Sequence, residues 1–280
     1  MMLSFTKVSN NYSKQKKYSI FVRNLQPLKI TFLGTGTSQG IPIIGSTHPV
    51  CLSQNPKDKR LRVSIMIEWD KNTFVIDCGP DFRQQMLLNN PTKIDALLFT
   101  HEHADHTAGL DDIRPFCFRQ GELPIYAHKR VINELKKRFE YVFETENRYP
   151  GAPTVAVNTI ENKPFEINNK TIIPIEGLHY KLQVFGFKFE NFAYLTDFKT
   201  ITETELDKLK NLDVLVINAL RMEAHISHFN LEEALAIIKI LQPKRTYLTH
   251  ISHLLGFHDE VQKQLPDNVY LAYDQLQITI

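Results

Sequence analysis

A chain of 280 residues with 33 Lys and Arg against 31 Asp and Glu carries a formal charge of +2, so no global field draws it to nucleic acid or a membrane surface. The length supports a full hydrophobic core, with one domain as the default expectation. Three widely spaced cysteines, Cys51, Cys78 and Cys117, do not suggest a disulfide framework, and no apolar run reaches a membrane span; a soluble, cytoplasmic protein is expected.

No acidic residue precedes Asp58, while Lys7, Lys14, Lys16, Lys17, Arg23 and Lys29 accumulate. Residues 1–27 read as a disordered basic extension; they lack the Arg-rich amphipathic period of an organellar presequence. Order is expected from Leu28, where LKITFLG alternates and runs into the turn GTGTSQG. The loop IGSTHPVC (44–51) follows, with one serine, one histidine and one cysteine. Strands are expected in RVSIMIEW (62–69), TFVIDCG (73–79), DALLFT (95–100), PIYAH (124–128), TIIPIE (171–176), LQVFGFKFE (182–190), FAYLT (192–196), DVLVINA (213–219), RTYLT (245–249) and VYLAY (269–273). Helical periodicity marks 80–88, 129–139 and 231–241; before the last, Asn230 is a good N-cap with Glu233 three residues on. Strands with interspersed helices and no Gly/Pro-rich boundary point to one α/β domain over 28–280.

Directly after the apolar strand DALLFT stands HEHADH, residues 101–106. On a helix, His101 and His103 would point roughly 200° apart, whereas an extended chain turns them to the same side. They then grip one metal ion, while Asp105 and His106 turn toward a second. Further ligands must come from other strand ends, where function gathers on loops at one rim. His179 in EGLHYK, Asp197 in YLTDF and His250 in YLTHISH qualify. In this reading His101, His103 and His179 hold one ion, Asp105, His106 and His250 the other, and Asp197 bridges.

This order of residues, preceded by Asp77 in IDCG, resembles the metallo-β-lactamase superfamily of binuclear metallohydrolases. The resemblance covers nearly everything from Leu28 onward and implies an αββα four-layer sandwich with Asp77 behind the site as a structural residue. Redox di-iron members carry a carboxylate where this chain has His103; imidazole there suits Zn²⁺ or Mn²⁺ and hydrolysis. RMEAHISHFNLEEALAIIK resembles the phosphodiesterase branches, in which a histidine before a helix acts on the phosphate or the leaving oxygen. His228 occupies that place better than His225, although Phe229 after it is large. A cationic imidazole fits the role. The implied chemistry is two-metal phosphodiester hydrolysis, in which hydroxide attacks in line and Asp105 orients it or takes its proton. Arg114 and Arg221 are candidate phosphate or structural arginines.

Two branches compete. One resembles the phosphoribosyl 1,2-cyclic phosphate phosphodiesterases; the other is ribonuclease Z, the tRNA 3′-processing endonuclease. The latter needs a long Gly/Pro-rich basic arm, which the stretch from His106 to His179 lacks, and a solvated helix face explains the Lys and Arg of 129–139. A thioester or lactam hydrolase uses the same metal set. The expected substrate is therefore a small or cyclic phosphodiester, with nucleic acid ranked below it, no membrane partner, and a homodimer compatible with the sequence. The first branch also implies a structural zinc on a Cys-x-Cys-x-x-Cys loop, completed by a histidine three residues after the last ligand. The aligned positions are Ser46, His48 and Cys51, with His253 three after His250. That leaves three good donors where tetrahedral zinc prefers four, so either an ion or hydrogen bonds hold the loop.

Overall fold

Alternation at period two, with both faces of each central strand apolar, decides the architecture. The computed structural model describes residues 27–146 and 148–280; the expectation of disorder for 1–27 lies outside the described residues except at Pro27. Six strands come first: β1 Lys29–Gly34, β2 Ser64–Trp69, β3 Asn72–Ile76, β4 Ala96–Leu98, β5 Leu123–His128 and β6 Val155–Ile160. Then follow β7 Phe165–Ile167, β8 Lys170–His179, β9 Leu182–Phe189, β10 Phe192–Leu195, β11 Thr200–Ile201, β12 Val214–Asn218, β13 Arg245–Thr249, β14 Val269–Leu271 and β15 Gln277–Thr279.

The first sheet runs β15-β1-β2-β3-β4-β5-β6 and the second β11-β8-β9-β10-β12-β13-β14, with β7 also on β8. Alternate residues of both sheets meet in one apolar layer: Ile65, Ile67, Phe74, Ile76 and Leu98 from the first, Phe185, Phe187, Phe189, Tyr194, Val214 and Val216 from the second. The intervening residues face outward. Met66, Val75 and Leu97 pack with Phe82 and Met86 of helix Phe82–Asn89 and with Val131, Ile132 and Leu135 of helix Lys129–Arg138. Leu195, Leu215, Ile217 and Leu248 pack with Ala234 and Leu241 of helix Leu231–Leu241. Helices therefore cover each sheet from outside, giving the expected αββα layering. Helix Leu231–Leu241 has its capping box, with Asn230 and Glu233 each accepting from the other's backbone N–H. Among the described residues no helix is long and apolar enough to cross a membrane.

The strands β6, β7, β11 and β15 were not expected. β6 is an edge strand with alternately half-exposed residues, and the other three are two or three residues long, so none carries a strong apolar period. β15 matters for closure: Leu28 and Ile280 exchange backbone hydrogen bonds at 3.1 and 2.9 Å, tying the chain end to β1.

Candidate metal centre

Three residues just beyond strand ends turn the chain through the left-handed region: Asp77 after β3 (φ 64°), Asp197 after β10 (φ 63°) and His250 after β13 (φ 55°). Such a conformation costs a non-glycine residue about 1–2 kcal/mol and persists where the surroundings over-determine it. At Asp197 the determinant is Asn218, fully buried at the end of β12. Its Oδ1 accepts from Phe198 N–H at 2.8 Å and its Nδ2 donates to Phe198 C=O at 3.0 Å. At Asp77 the backbone N–H bonds Leu98 C=O at 2.8 Å, and Cys78 exchanges backbone bonds with His106 and Gly109. Gly79 of IDCG is required here, since a Cβ would stand 1.9 Å from the carbonyl oxygen of Asp105.

HEHADH leaves β4 extended through His103 (φ −60°, ψ 150°), as expected, but Asp105 and His106 then lie on a single helical turn, Ala104–Thr107. The extended part carries His101 and His103, and the helical turn carries Asp105 and His106 into a separate donor set. A hydrogen-bond chain orients the rings. Thr100 N–H and Oγ1 donate to Asp77 Oδ1 and Oδ2 at 2.9 and 2.8 Å. Thr100 Oγ1, its proton committed, accepts from His101 Nδ1 at 3.0 Å, and Asp77 Oδ2 accepts from His106 Nδ1 at 2.7 Å. His179 Nδ1 donates to Ser227 C=O at 2.7 Å. Each of these rings keeps its other nitrogen for the interior, the pattern of a metal-ligating histidine with an outer partner.

Donor atoms converge in three sets, each within 4.8 Å: His101, His103 and His179; Asp105, His106, Asp197 and His250; and His179, Asp197 and His228. Asp197 is common to the last two, and its Oδ1 lies 3.1 Å from His250 Nε2 and 3.6 Å from His228 Nδ1, its Oδ2 3.2 Å from His106 Nε2. Buried His106 Nε2, both nitrogens of His250 and His228 Nδ1 have no hydrogen-bond partner. Orphaned imidazole nitrogens crowded around carboxylates are costly in a bare protein and fit a divalent cation. Burial, followed by His106, holds the basicity of His101 well below normal; burial, followed by His179, lowers that of His103. Both stay neutral, as ligands must. Burial opposes the charge of Asp197, but His250 and His106 outweigh it and hold the carboxyl well below its usual range.

The motif is also clamped from outside. Arg130 Nε and Nη2 bind Glu102 Oε1 and Oε2 at 2.8 and 3.1 Å, and Arg138 Nη2 donates to Glu102 C=O. Arg138 Nη1 also reaches Thr107 Oγ1 at 3.1 Å, which in turn donates to His103 C=O at 2.9 Å. The solvated face expected for helix Lys129–Arg138 is thus incomplete: half-buried Arg130 and exposed Arg138 also bind the Glu102 segment. Sequence reading missed them because Glu102 is 28 residues from Arg130.

His228 is buried, with its ring centroid 4.4 Å from that of His179 and 4.7 Å from that of His250. His225 instead accepts from Ser227 N–H at 3.3 Å. Phe229, the large neighbour, is buried in the apolar cluster that includes Phe198 and Ala234, and so anchors the loop. Burial lowers the pKa of His228 to about 2, against the pull of Asp197, which favours the neutral imidazole at rest. Arg114 is paired with Asp111 at 2.6 Å, and Arg221 binds the carbonyls of Glu223 and Ala224 at 3.3 and 2.8 Å. Both arginines thus serve their own loops.

The structural metal site that the sequence leaves open has no ready-made donor set, although buried His253 Nδ1 has no hydrogen-bond partner. Among the described residues His48, Cys51 and His253 belong to none of the donor sets. His48 and His253 meet edge to face at 4.7 Å, but His48 Nδ1 accepts from Val50 N–H as a helix cap, and Ser46 Oγ accepts from His48 N–H. Cys51 lies in a small apolar cluster with Ile41 and Val50. These hydrogen bonds and this packing are contacts that the loop makes.

The beta-lactamase superfamily domain matches residues 72–251. A crystal structure of a new diphosphatase from the PhnP family is 38% identical and superposes with a TM-score of 0.86, over 91% of this chain and 98% of that one. A relative from Porphyromonas gingivalis named octanoyltransferase is 38% identical over 256 residues, 90% of this chain. A ribonuclease Z from Methanococcus maripaludis is 35% identical over 114 residues, 39% of this chain. The chain spans only 52% and 32% of these two relatives' lengths. Strand-end histidines and aspartates gathered at one rim of an αββα sandwich agree with the match in sequence, and the chain belongs to the metallo-β-lactamase superfamily.

Proposed function

We propose that the chain is a binuclear metal-dependent phosphodiesterase acting on small or cyclic phosphodiesters. The observation that carries this is the position of Asp197, which groups with Asp105, His106 and His250 on one side and with His179 and buried His228 on the other. Similarity to the PhnP-family diphosphatase and to ribonuclease Z supports the phosphorus chemistry. His101, His103 and His179 would hold one ion, Asp105, His106 and His250 the other, and Asp197 both; this donor set suits Zn²⁺ or Mn²⁺. Ions bound there supply Lewis acidity to the phosphoryl group and lower the pKa of water toward neutrality.

The side chains do the rest. Burial opposes ionisation of Asp105, but His106 and His250 outweigh it, so its carboxylate stays ionised and is available to orient an attacking water. His228, neutral at rest, offers an N–H to the phosphate or the leaving oxygen, a donor fixed before the reaction begins. Two arginines hold the Glu102 segment and Asn218 holds the Asp197 turn, so the donors need not reorganise.

A second reading, hydrolysis of an acyl thioester, is favoured by the relative named octanoyltransferase. The test is a panel of bis-p-nitrophenyl phosphate, 2′,3′-cyclic nucleotides, an octanoyl thioester and a β-lactam, with the protein loaded with Mn²⁺ or Zn²⁺. Phosphodiester turnover is expected, and His228→Ala should retain metal by elemental analysis while losing about 10²–10⁴-fold in rate. Thioester turnover without phosphodiester turnover would replace the first reading by the second. Loss of metal in His228→Ala would make that residue a ligand.

A further inference from the structure

We propose that the cleft beside His103 and His179 is a subsite for a flat, largely apolar ring on the ester arm of an organic phosphate. The inference rests on the phosphodiesterase reading and names the part of the substrate that reading leaves open. The cleft has a volume of about 540 Å³ and is lined by His103, His179, Tyr180, Leu182, Ile226 and Ser227, with Lys181 at its edge. That volume suits a small organic ligand. Two of its walls, His103 and His179, are also candidate ligands, so a phosphate held at the centre directs one arm into it.

Its apolar surface is not core. Tyr180 is 51% and Ile226 67% exposed, each a large apolar side chain open to water beside a cluster of histidines and aspartates. One bond positions both: His179 Nδ1 donates to Ser227 C=O at 2.7 Å, and Tyr180 follows His179 while Ile226 precedes Ser227. The hairpin end and the loop are thereby tied, with one apolar side chain beside each end of the tie.

Tyr180 carries a second, independent sign. It lies in the two-residue turn between β8 and β9, where His179 pairs with Leu182, and its φ is 59°. Asn or Gly fits such a turn without penalty, whereas an aromatic residue there is strained. The fold gains little from this ring, which is half exposed; a ring stacked on it gains a face and an edge. Lys181, whose Nζ lies 5.3 Å from the Tyr180 ring centre, has no carboxylate within ion-pairing distance among the described residues, which favours an anionic ligand.

The test is calorimetric titration of the Mn²⁺-loaded protein with phenylphosphonate and methylphosphonate, which share the anionic head and differ in the arm. Phenylphosphonate should bind at least about ten-fold more tightly. Tyr180→Gly and Ile226→Ala should each reduce that preference several-fold and leave methylphosphonate binding unchanged, and Tyr180→Gly should not lower the melting temperature. Equal binding of the two phosphonates by the unaltered protein, equal weakening of both in the variants, or no binding of either overturns the subsite. Turnover of bis-p-nitrophenyl phosphate alongside such a result sinks the subsite alone; its absence sinks the parent reading.

Discussion

Two regions of this molecule are rich in metal-ligand residue types, and only one gathers them. At the rim, His101, His106 and His179 each spend one ring nitrogen on Thr100, Asp77 or Ser227 and leave the other for the interior. In the loop 44–51, His48 spends Nδ1 on capping a short helix, and Cys51 is packed among Ile41 and Val50. Both regions have histidine pairs at similar ring separations, 4.6 Å for His101 and His103 and 4.7 Å for His48 and His253. Proximity is therefore not what distinguishes them. The rim adds carboxylates, and outer partners that fix the rings of His101, His106 and His179; the loop has an imidazole pair and no carboxylate among its donors.

If carboxylates make the difference, removing the shared one should undo it. Asp197→Ala takes a donor from two sets at once and leaves His106 Nε2 and His250 Nε2 with Asp105 as their remaining carboxylate neighbour. Elemental analysis after dialysis should show loss of the ion pair, with activity falling alongside. Unchanged metal content would refute the bridging position. Asn218→Ala leaves every ligand in place but deprives Phe198 N–H and C=O of their buried partner. The expected cost is about 2–4 kcal/mol of stability by denaturant titration, with weaker metal binding because the strained turn at Asp197 loses its restraint. Normal stability would mean the turn needs no such clamp.

What the sequence made legible follows the same division. HEHADH is dense, and its ligands recur at strand ends, so residues such as His250 can be located by the rule that apolar strands deliver function at their ends. The long buried strands and the capped helix Leu231–Leu241 were visible in the same way, through local period and capping chemistry. Outer partners were not. Asn218 reads as the polar end of DVLVINA, and nothing nearby says that it grips residue 198, 20 positions earlier. Arg130 and Arg138 look like surface charge until the fold brings Glu102 to them. Tyr180 gives no sign of its left-handed φ, since backbone strain is set by the hairpin and not by composition. The loop is ambiguous in sequence for the opposite reason: its spacing fits a metal site, while the hydrogen bonds that occupy His48 and Ser46 are invisible there.

The smallest expected effect probes that loop. Cys51 is 3% exposed in a cluster of few members, so Cys51→Ala removes one sulfur from a small apolar contact and should cost about 1 kcal/mol. Metal content per chain should not change, because Cys51 shares no donor set with His48 and His253. A different result has a distinct signature: a third ion in the unaltered protein, lost in Cys51→Ala along with several times the expected stability, would mean that His48 releases Val50 N–H and turns to an ion. Measuring metal and stability on the same samples separates the cases. Packing loss moves stability slightly and metal not at all, whereas loss of a ligand moves both together.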